Sequence, residues 1–446
     1  MERRGFLRLG AAATGALALG PDFWRRAYGA QARSGPGPYG SLEGRVADAN
    51  GLVLPEGFES RIVGRSGAVV EGTDYTWHAF PDGGAVFEHD DGGWTYVSNS
   101  EVPTPEGGGA GSVRFDADGT VTDAASILTG TSTNCAGGAT PWGTWLSCEE
   151  TDSGQVWECD PSGAEPAVAR PAMGAFKHEA AAADPDERRL YLTEDQPDGR
   201  LYRFTPRAWP DLDEGLLEVA VVGPDDGVTW VEVPDPSGAS APTRNQVAES
   251  TVFPGGEGIW FDSGTVYFTT KVDGRVTAYR VAEARMEVLY DDDRFDDPPL
   301  TGVDNITVGP GGDLYVCEDG GNMELVLITS DTVAPFLRVD GDPESEMTGC
   351  AFNAAGTHLY FSSQRGGGGA GLTYEVRGPF RRDEPEPADG GPTTTLAAVG
   401  NGDDGGSDLV LPVVAGGVGL GALAAGALAW RRRRSGDEPE REPEPT

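Results

Sequence analysis

A strand pattern recurs six times along the middle of the chain. In each copy, a short first strand is followed by a turn with Gly, Asp or Pro and then by a second strand rich in Tyr, Trp, Leu and Val. A third strand follows after another Gly turn. The aromatic markers of the copies are Tyr96, Trp145, Tyr191, Tyr267, Tyr315 and Tyr360, at intervals of 49, 46, 76, 48 and 45 residues. Six such repeats predict an all-β fold, a six-bladed β-propeller over residues 40–380, with an insertion near 207–245 in the long interval. Unrelated β-sandwiches in series are the alternative, and the regular intervals argue against them.

Two positions in each repeat carry polar or metal-binding side chains. Early in the first strands stand His78, Cys135, His178-Glu179, Glu257, Asp304-Asn305 and Glu346. Just after the second strands stand Asn99-Ser100-Glu101, Glu149-Glu150, Glu194-Asp195, Lys271, Glu318-Asp319 and Gln364-Arg365. Equivalent positions of propeller blades form rings around a central channel, and converging carboxylates repel one another unless cations separate them. We therefore predict a metal site in the central channel, with exposed turn acids as the alternative for any single residue.

The ligand chemistry of these rings favours two kinds of metal. Carboxylate oxygens in a chain with only four histidines favour calcium. The thiol of Cys135 suits a transition metal such as iron better. The cations at the ends of the same segments, Lys271, Arg244 and Arg365, are predicted to bind an anionic substrate beside the metals. Surface salt bridges are the alternative for both arginines.

The charge balance excludes one class of function. With 72 acidic and 33 basic residues, the net charge is −39, so we expect no nonspecific nucleic-acid binding. Such a surface suits solubility in high salt, which predicts a halophilic protein. The 67 glycines and 33 prolines argue against a helical bundle. The cysteine count is odd, five, so at least one thiol is unpaired or has a chemical role.

The N-terminal 32 residues have the features of an export signal. Residues 2–8 contain the twin arginines Arg3 and Arg4 followed by Phe6 and Leu7, and residues 9–20 carry no charge. This pattern resembles a twin-arginine signal, with a small-residue cleavage site at residues 30–32. An ordinary N-terminal membrane anchor is the alternative, but the apolar run is short for a bilayer span.

The C-terminal region predicts a tether to the membrane. Residues 381–408 are rich in Pro, Gly, Glu, Asp and Thr, which indicates a disordered stalk. Residues 409–430 lack charge and predict a transmembrane helix, and the arginines at 431–434 place the tail, residues 431–446, in the cytoplasm. We expect the propeller to be exported and anchored at the cell surface. A processed surface-sorting tail is the alternative.

Several motifs resemble those of the PhoX-type alkaline phosphatases, over roughly residues 55–380. The longest runs Asn134-Cys135-Ala136-Gly137-Gly138-Ala139-Thr140-Pro141-Trp142-Gly143-Thr144-Trp145-Leu146-Ser147-Cys148-Glu149-Glu150. Shorter ones follow in the family's order: Phe176-Lys177-His178-Glu179, Glu194-Asp195, Gly256-Glu257-Gly258, Asp304-Asn305, Glu318-Asp319-Gly320 and Glu346-Met347-Thr348-Gly349. The chain resembles a short member of that family.

The resemblance implies a fold, an activity and a metal set. Members of the family are six-bladed propellers that hydrolyse phosphate monoesters with ferric iron and calcium around a bridging oxygen. It implies that Cys135 binds iron, that Glu179, Glu257 and Glu346 bind metal near the phosphate, and that Glu149, Glu150, Asp195, Asp304 and Asp319 are calcium ligands. Glu318 is a further candidate ligand from its ring position.

The functional hypothesis is a phosphatase that uses a metal-bound oxygen nucleophile on a small phosphate ester, acting as a monomer. A calcium-dependent lactonase or esterase is a second possibility, because propellers also carry that chemistry. A non-catalytic surface propeller that binds calcium for rigidity is a third possibility. The metal content of the protein and the effect of replacing Cys135 distinguish the three hypotheses.

Overall fold

The computed structural model describes residues 33–104, 107–369 and 371–382. The predicted signal peptide, residues 1–32, lies outside the described residues. So do the transmembrane segment, the cytoplasmic tail and all of the stalk beyond residue 382. In the part of the chain that is described, no helix is both long enough and apolar enough to cross a bilayer.

The described residues form an all-β structure of six sheets, each the blade of a propeller. Three N-terminal strands come first: β1 (Arg33–Ser34), β2 (Leu52–Val53) and β3 (Glu59–Arg65). Blade 1 contains β4 (Pro81–Glu88), β5 (Trp94–Ser100), β6 (Gly108–Phe115) and β7 (Val121–Thr131). Blade 2 contains β8 (Asn134–Ala139), β9 (Trp145–Glu149), β10 (Val156–Cys159) and β11 (Val168–Ala169). Blade 3 contains β12 (His178–Asp184), β13 (Arg189–Glu194), β14 (Leu201–Ala208), β15 (Asp211–Val222) and β16 (Val228–Glu232).

The second half of the ring repeats this arrangement. Blade 4 contains β17 (Gly256–Asp262), β18 (Thr265–Thr270), β19 (Arg275–Arg280) and β20 (Arg285–Asp291). Blade 5 contains β21 (Val303–Val308), β22 (Leu314–Glu318), β23 (Glu324–Ile328) and β24 (Thr332–Val339), with β1 and β2 along its outer edge. Blade 6 contains β25 (Met347–Phe352), β26 (His358–Ser363) and β27 (Leu372–Arg377). Short helical segments occur at Pro171–Met173, Thr243–Asn245, Asp292–Arg294 and Gly366–Gly369.

The first strands of the blades pack side by side and close a ring. Each contacts the first strand of the next blade, in the cyclic order β4, β8, β12, β17, β21, β25 and back to β4. The ring is closed by β3, which pairs with β27 as the outermost strand of blade 6. Arg61 of β3 donates a 2.6 Å hydrogen bond to the buried carboxylate of Glu375 on β27. The predicted six-bladed propeller is therefore confirmed.

The aromatic markers of the repeat lie in the cores between blades. Tyr96, Trp145, Tyr191, Tyr315 and Tyr360 are at most 1% exposed. Tyr96 of blade 1 stacks on Tyr360 of blade 6, with their ring centroids 4.9 Å apart. Burial of a large side chain of this kind contributes about 1.5–3 kcal/mol. The spacing was readable in the sequence because each blade needs such a residue to cover its neighbour.

The long interval between markers belongs to blade 3. The predicted insertion near 207–245 contains all of β15 and β16, and this blade has a fifth strand as a result. The chain then returns through residues 233–255 to begin blade 4. The insertion extends the outer side of the blade and leaves its first strand in the ring.

Every first strand is irregular at the same place. The pairing with the second strand shifts register within the first few residues of β4, β8, β12, β17, β21 and β25. A β-bulge of this kind leaves residues unpaired and changes the direction in which a side chain points. The six bulges lie at equivalent positions, and in five of the blades the bulge residue carries a side chain that is directed to the axis of the propeller.

Candidate metal centre

The bulges define a first ring of side chains at the axis, called the inner ring here. Its members are Asp82, Cys135, Glu179, Glu257, Asp304 and Gly349, one from each blade. The five that carry functional groups are all buried, between 0% and 9% exposed. Five polar groups thus meet where the strands converge.

The inner ring departs from the sequence prediction at two positions. His78 precedes β4 and is not at the bulge. Its imidazole lies near Ser98 and Tyr75, and burial lowers its pKa to about 3. Asp82 takes its place. In blade 6 the bulge residue is Gly349, with φ at +64°, and Glu346 lies just before the strand. The sequence Asp82-Gly83 could have identified the inner-ring residue of blade 1, because it resembles Glu257-Gly258 at the equivalent place in blade 4.

A second ring, the outer ring, lies nearer to solvent. Its members directly follow the last residue of each second strand: Glu101, Glu150, Asp195, Lys271, Asp319 and Gln364. Lys271 and Asp319 are exposed, whereas Asp195 and Gln364 are buried. The two rings together form the wall of a central pit. The sequence prediction of paired acids after the second strands is thus explained by the ends of β9, β13 and β22.

The first acid of each pair is not a member of the outer ring and accepts hydrogen bonds from backbone amides. Glu149 accepts hydrogen bonds from the backbone amides of Ser132 and Gln155, at 3.2 and 3.3 Å. Glu318 accepts them from Thr301 and Glu324, both at 2.9 Å. These carboxylates tie the loops on either side of the strand to its end. The predicted metal ligands Glu149 and Glu318 are therefore placed as backbone acceptors, outside the acid groups of the pit.

Three groups in the pit have ligand atoms close enough to share a metal ion. Within each group, among the described residues, the atoms lie within 4.8 Å of one another. The groups are Glu101, Cys135 and Glu150; Asp82, Glu101 and Glu346; and Glu179, Glu257 and Asp304. Residues from all six blades contribute to them. The structure thus brings together predicted ligands that are up to 211 positions apart in the chain, from Cys135 to Glu346.

Cys135 lies among carboxylates at the bottom of the pit. Its Sγ is 3.2 Å from Glu179 Oε1 and 3.6 Å from Asp82 Oδ2. Burial, together with Asp82 and Glu179, raises the pKa of this thiol well above its usual value. A thiol in such surroundings is protonated, and a metal ion would have to displace that proton.

Burial also holds the inner carboxyl groups in their neutral form. It raises the pKa of Glu179 well above the usual range, and the charge of Glu257 adds to the effect. The pKa values of Asp82 and Asp304 are raised in the same way, by burial and then by Glu346. A metal ion between the acids would favour their charged forms and so reverse each of these shifts.

The side chains that line the pit show whether metal ions fit there. The Oε2 atom of Glu179 is buried and has no hydrogen-bond partner, although Glu179 is 0% exposed. Carboxylates in the pit outnumber cations: the acids are Asp82, Glu101, Glu150, Glu179, Asp195, Glu257, Asp304, Asp319 and Glu346, and the cations are Lys177, Lys271 and Arg365. Unpaired buried carboxylates are costly unless cations are bound. Oxygen donors with one thiol therefore fit hard cations together with a thiol-tolerant metal.

The cations of the pit are held by its own acids. Lys271 Nζ contacts Glu257 Oε1 at 2.6 Å and Asp195 Oδ2 at 3.0 Å. Arg365 Nη1 contacts Glu346 Oε2 at 2.8 Å. Both side chains remain partly exposed, 38% for Lys271 and 42% for Arg365. Both side chains therefore reach the opening of the pit, and each has further N–H donors there.

Arg244 is placed differently from the prediction. Its guanidinium contacts Glu194 Oε1 at 3.2 Å and Asp198 Oδ1 at 3.0 Å. Glu194 in turn accepts a hydrogen bond from Tyr202 and belongs to none of the three acid groups. Arg244 therefore stabilises the end of β13 instead of facing the pit.

Two further residues of the pit were not named as site residues from the sequence. Lys177 contacts Glu150 Oε1 at 2.5 Å and Asp195 Oδ2 at 3.2 Å. Gln364 donates hydrogen bonds to Asp82 and Glu101, at 2.5 and 2.7 Å. Gln364 was readable as the sixth member of the outer ring, and Lys177 as one of only two lysines in the chain.

The floor of the pit is closed by small residues. Behind the inner ring, the first strands come so close that a Cβ on Gly83 would lie 2.4 Å from Cα of Ala136. A Cβ on Gly258 would lie 2.6 Å from Cα of Asn305. The space there is about 30 Å³, room for one water molecule. The channel is therefore narrowest behind the inner ring.

The fold and the two rings define a class of protein: a six-bladed β-propeller whose central pit gathers carboxyl groups and one thiol. Residues 85–290 match the family model described as alkaline phosphatase PhoX. The match covers less than half of the chain and confirms the resemblance found in its motifs. A search of curated proteins gave no match.

Solved structures share the fold. PhoX from Pseudomonas fluorescens, in complex with the transition-state analogue vanadate, is 16% identical with a TM-score of 0.61, over 75% of this chain and 97% of that chain. A gluconolactonase from Xanthomonas campestris is 14% identical with a TM-score of 0.40, over 68% and 86%. A protein of unknown function from Bacteroides thetaiotaomicron is 11% identical with a TM-score of 0.45, over 72% and 76%. The likeness to PhoX supports the propeller, and the other two are too distant to bear on function.

Proposed function

We propose that this chain is a metal-dependent phosphatase that hydrolyses phosphate monoesters in its central pit. The observation that carries the proposal is the meeting of Cys135 with carboxylates from every blade, within reach of two partly exposed cations. The PhoX family match supports a phosphomonoesterase. The small substrate is a phosphate ester because the pit combines metal-binding acids with donors for anionic oxygens.

The acid groups are the proposed holders of calcium and ferric iron. Cys135, with Glu101 and Glu150, offers the thiol that suits iron, and Glu179, Glu257 and Asp304 offer oxygen ligands that suit calcium. When bound, these ions supply positive charge and Lewis acidity toward a phosphoryl group. The proton that Cys135 carries in the metal-free pit leaves when it becomes a ligand.

The cations of the pit are the proposed phosphate contacts. Lys271 has three N–H donors and uses two of them on Glu257 and Asp195, so one remains for a phosphate oxygen. Arg365 contacts Glu346 through Nη1, and its remaining donors are available at the opening. The acids thereby orient both side chains before the substrate binds, which lowers the cost of ordering them.

The closed floor and the buried inner ring serve the reaction by excluding water. A phosphate group would enter through the outer ring and stop above the inner ring. Charge interactions there are stronger than at the surface because the surroundings are less polarisable. Gln364, which joins Asp82 to Glu101, keeps two of the acids in place.

We also propose export by the twin-arginine route and a tether at the cell surface, on the sequence of residues 1–32 and 381–446. Replacing Arg3 and Arg4 by lysine is expected to block export, as measured by cell fractionation. Retention of the protein in membranes after a high-salt wash, and its release when residues 409–446 are deleted, test the tether. Normal export of the double-lysine variant would contradict the route.

The activity is tested with the purified full chain. The protein is stripped with EDTA, reloaded with calcium and ferric iron, and assayed on p-nitrophenyl phosphate, with metal content measured on the same sample. Turnover is expected in the reloaded protein and not in the stripped protein. Failure of a verified metal-loaded sample to cleave any of several phosphate monoesters would exclude the phosphatase. Cleavage of a lactone by a sample with calcium alone would favour the lactonase.

A further inference from the structure

The two lysines of the chain meet at one carboxylate. Of the 33 basic residues, 31 are arginines, and the remaining two are Lys177 and Lys271. Their ammonium groups contact the same atom, Asp195 Oδ2, at 3.2 and 3.0 Å. A sequence that uses arginine almost everywhere thus places both of its lysines in the pit, on the same partner.

The lysines also link Asp195 to the neighbouring blades. Lys177 contacts Glu150 of blade 2, and Lys271 contacts Glu257 of blade 4, at 2.5 and 2.6 Å. The order Glu150, Lys177, Asp195, Lys271, Glu257 therefore alternates in charge across three blades. These five residues are called the lysine sector.

Charge in the lysine sector differs from charge in the rest of the pit. Three acidic side chains and two ammonium groups alternate there, so each acid of the sector contacts a cation directly. Burial raises the pKa of Asp195, but a hydrogen bond to Glu150 and the two lysines outweigh it and lower the pKa. Of the remaining acids of the pit, only Glu346 has a direct ion pair among the described residues, with Arg365, and Lys271 acts on Glu179 and Asp304 only from a distance. The other three are Asp82, Glu101 and Asp319.

Asp195 differs from two other acids of the outer ring, Glu101 and Glu150. Glu101 and Glu150, at the equivalent positions of blades 1 and 2, each belong to a group of ligand atoms within 4.8 Å. Asp195 belongs to none of the groups found in the described residues. An ammonium ion is a compact charge with three donors, unlike the planar guanidinium, and can stand between oxygens as a metal ion does.

We infer that Lys177 and Lys271 occupy the place of a divalent cation, so that Asp195 binds no metal and the two lysines limit how many ions the pit takes up. The inference rests on the proposed function in that it takes the other acids to be metal-loaded. It departs from the expectation that Asp195 is a calcium ligand. Removing both ammonium groups would leave three carboxylates without a counter-ion and create a new calcium site.

The test is the calcium stoichiometry of the full chain with both lysines replaced, K177Q/K271Q. Samples are dialysed against buffered calcium and analysed for calcium and iron by mass spectrometry. The double variant is expected to bind one calcium more per chain than the wild type. Adding D195N to it is expected to return the stoichiometry to that of the wild type.

Two control variants separate charge from other effects. K177R/K271R keeps both charges, and R244Q removes a nearby cation outside the lysine sector. Neither is expected to gain calcium. A folded K177Q/K271Q protein with unchanged stoichiometry would overturn the inference, as would an equal gain in R244Q.

A single variant covers the case in which the double variant does not fold. K271Q replaces the more exposed lysine, and calcium is expected to raise its Tm further than that of the wild type. An identical calcium response would overturn the inference. Because stoichiometry is measured without turnover, a protein that gains calcium and cleaves no phosphate ester contradicts the proposed function alone.

Discussion

At the scale of single residues, Cys135 is the sharpest feature of the pit, because it is the only thiol of the inner ring. Replacement by alanine is expected to lower kcat on p-nitrophenyl phosphate by about a hundredfold or more, since loss of a ligand disrupts the iron position. Iron content of the variant is expected to fall with the activity.

Cys159 offers a matched control for this prediction. It is also fully buried, but it lies on β10 of blade 2 and takes no part in the three acid groups. C159A is expected to retain iron and most of the activity. Equal losses in both variants, or unchanged iron in C135A, would show that the thiol of Cys135 has no special role.

The paired acids at the end of β22 give a second prediction. Glu318 accepts two backbone hydrogen bonds, and its pKa is raised to about 7 by burial. E318Q would place an amide donor against one backbone N–H, which costs about 1–3 kcal/mol. Its Tm is expected to fall while calcium binding stays near normal. D319N is expected to weaken calcium binding while its Tm stays near normal. A larger loss of calcium binding in E318Q than in D319N would contradict this division of roles.

The residue types of the site could be predicted from the sequence better than their directions. Their equivalent positions in the repeats were enough to predict that Cys135, Glu179, Glu257 and Asp304 lie close together. It did not separate Glu149 from Glu150, because neighbouring residues at a strand end point to different sides and the backbone amides that attract one of them come from distant loops.

At the scale of elements, the bulges in the first strands give the pit its shape. A Cβ on Gly83 would meet backbone atoms of Ala136 in the next blade, at 2.4 Å. G83A is therefore expected to lose about 2–3 kcal/mol of stability, in the range of overpacked cores, and to weaken calcium binding. Urea unfolding and calcium titration measure the two effects.

Gly227 provides the matched comparison for G83A. It lies between β15 and β16, and an added Cβ would meet only the flexible carboxylate of Asp225, at 3.2 Å. G227A is expected to change stability by less than 1 kcal/mol. A G83A protein as stable as G227A would show that the first strands can move apart.

The bulges also explain why Asp82 was missed. The sequence pattern of the second strands is regular, because alternating buried residues define them, and all six were predicted. The first strands begin with unpaired residues at the axis, where side-chain alternation is lost. Trp77 and His78 therefore looked like a strand start, although the strand begins at Pro81.

At the scale of the whole molecule, the buried acids of the pit predict an unusual pH dependence for the metal-free protein. Burial raises the pKa of Glu346 to about 7 and that of Glu150 to about 8. Between pH 5 and 8 the folded state then holds protons that the unfolded state has lost, so stability falls as the pH rises. We expect the Tm in EDTA to be several degrees lower at pH 8 than at pH 5.

Calcium is expected to abolish this dependence, because cations favour the charged form of the same acids. Thermal unfolding by circular dichroism, with EDTA or with calcium at each pH, provides the measurement. A Tm in EDTA that rises steadily from pH 5 to 8 would contradict the accumulation of acids in the pit.

The overall architecture was predictable because it depends on repetition, whereas the charge balance within the pit was not. The net charge of −39 indicates excess acid but not where it gathers. The contacts of Lys177 and Lys271 depend on side chains from three different blades coming together. No local sequence pattern predicts such contacts.

The pairing of β3 with β27 has a consequence for the order of events during synthesis. Arg61 and Glu375 are 314 residues apart, so β3 cannot pair with β27 until the propeller part of the chain has left the ribosome. Contacts so distant in sequence form slowly. Until then the acids and the thiol of the pit are not held by a closed ring, and the nascent chain contains no finished pit. Metal capture is thereby coupled to completion of the ring, so a truncated chain would be recognisable by its lack of metal.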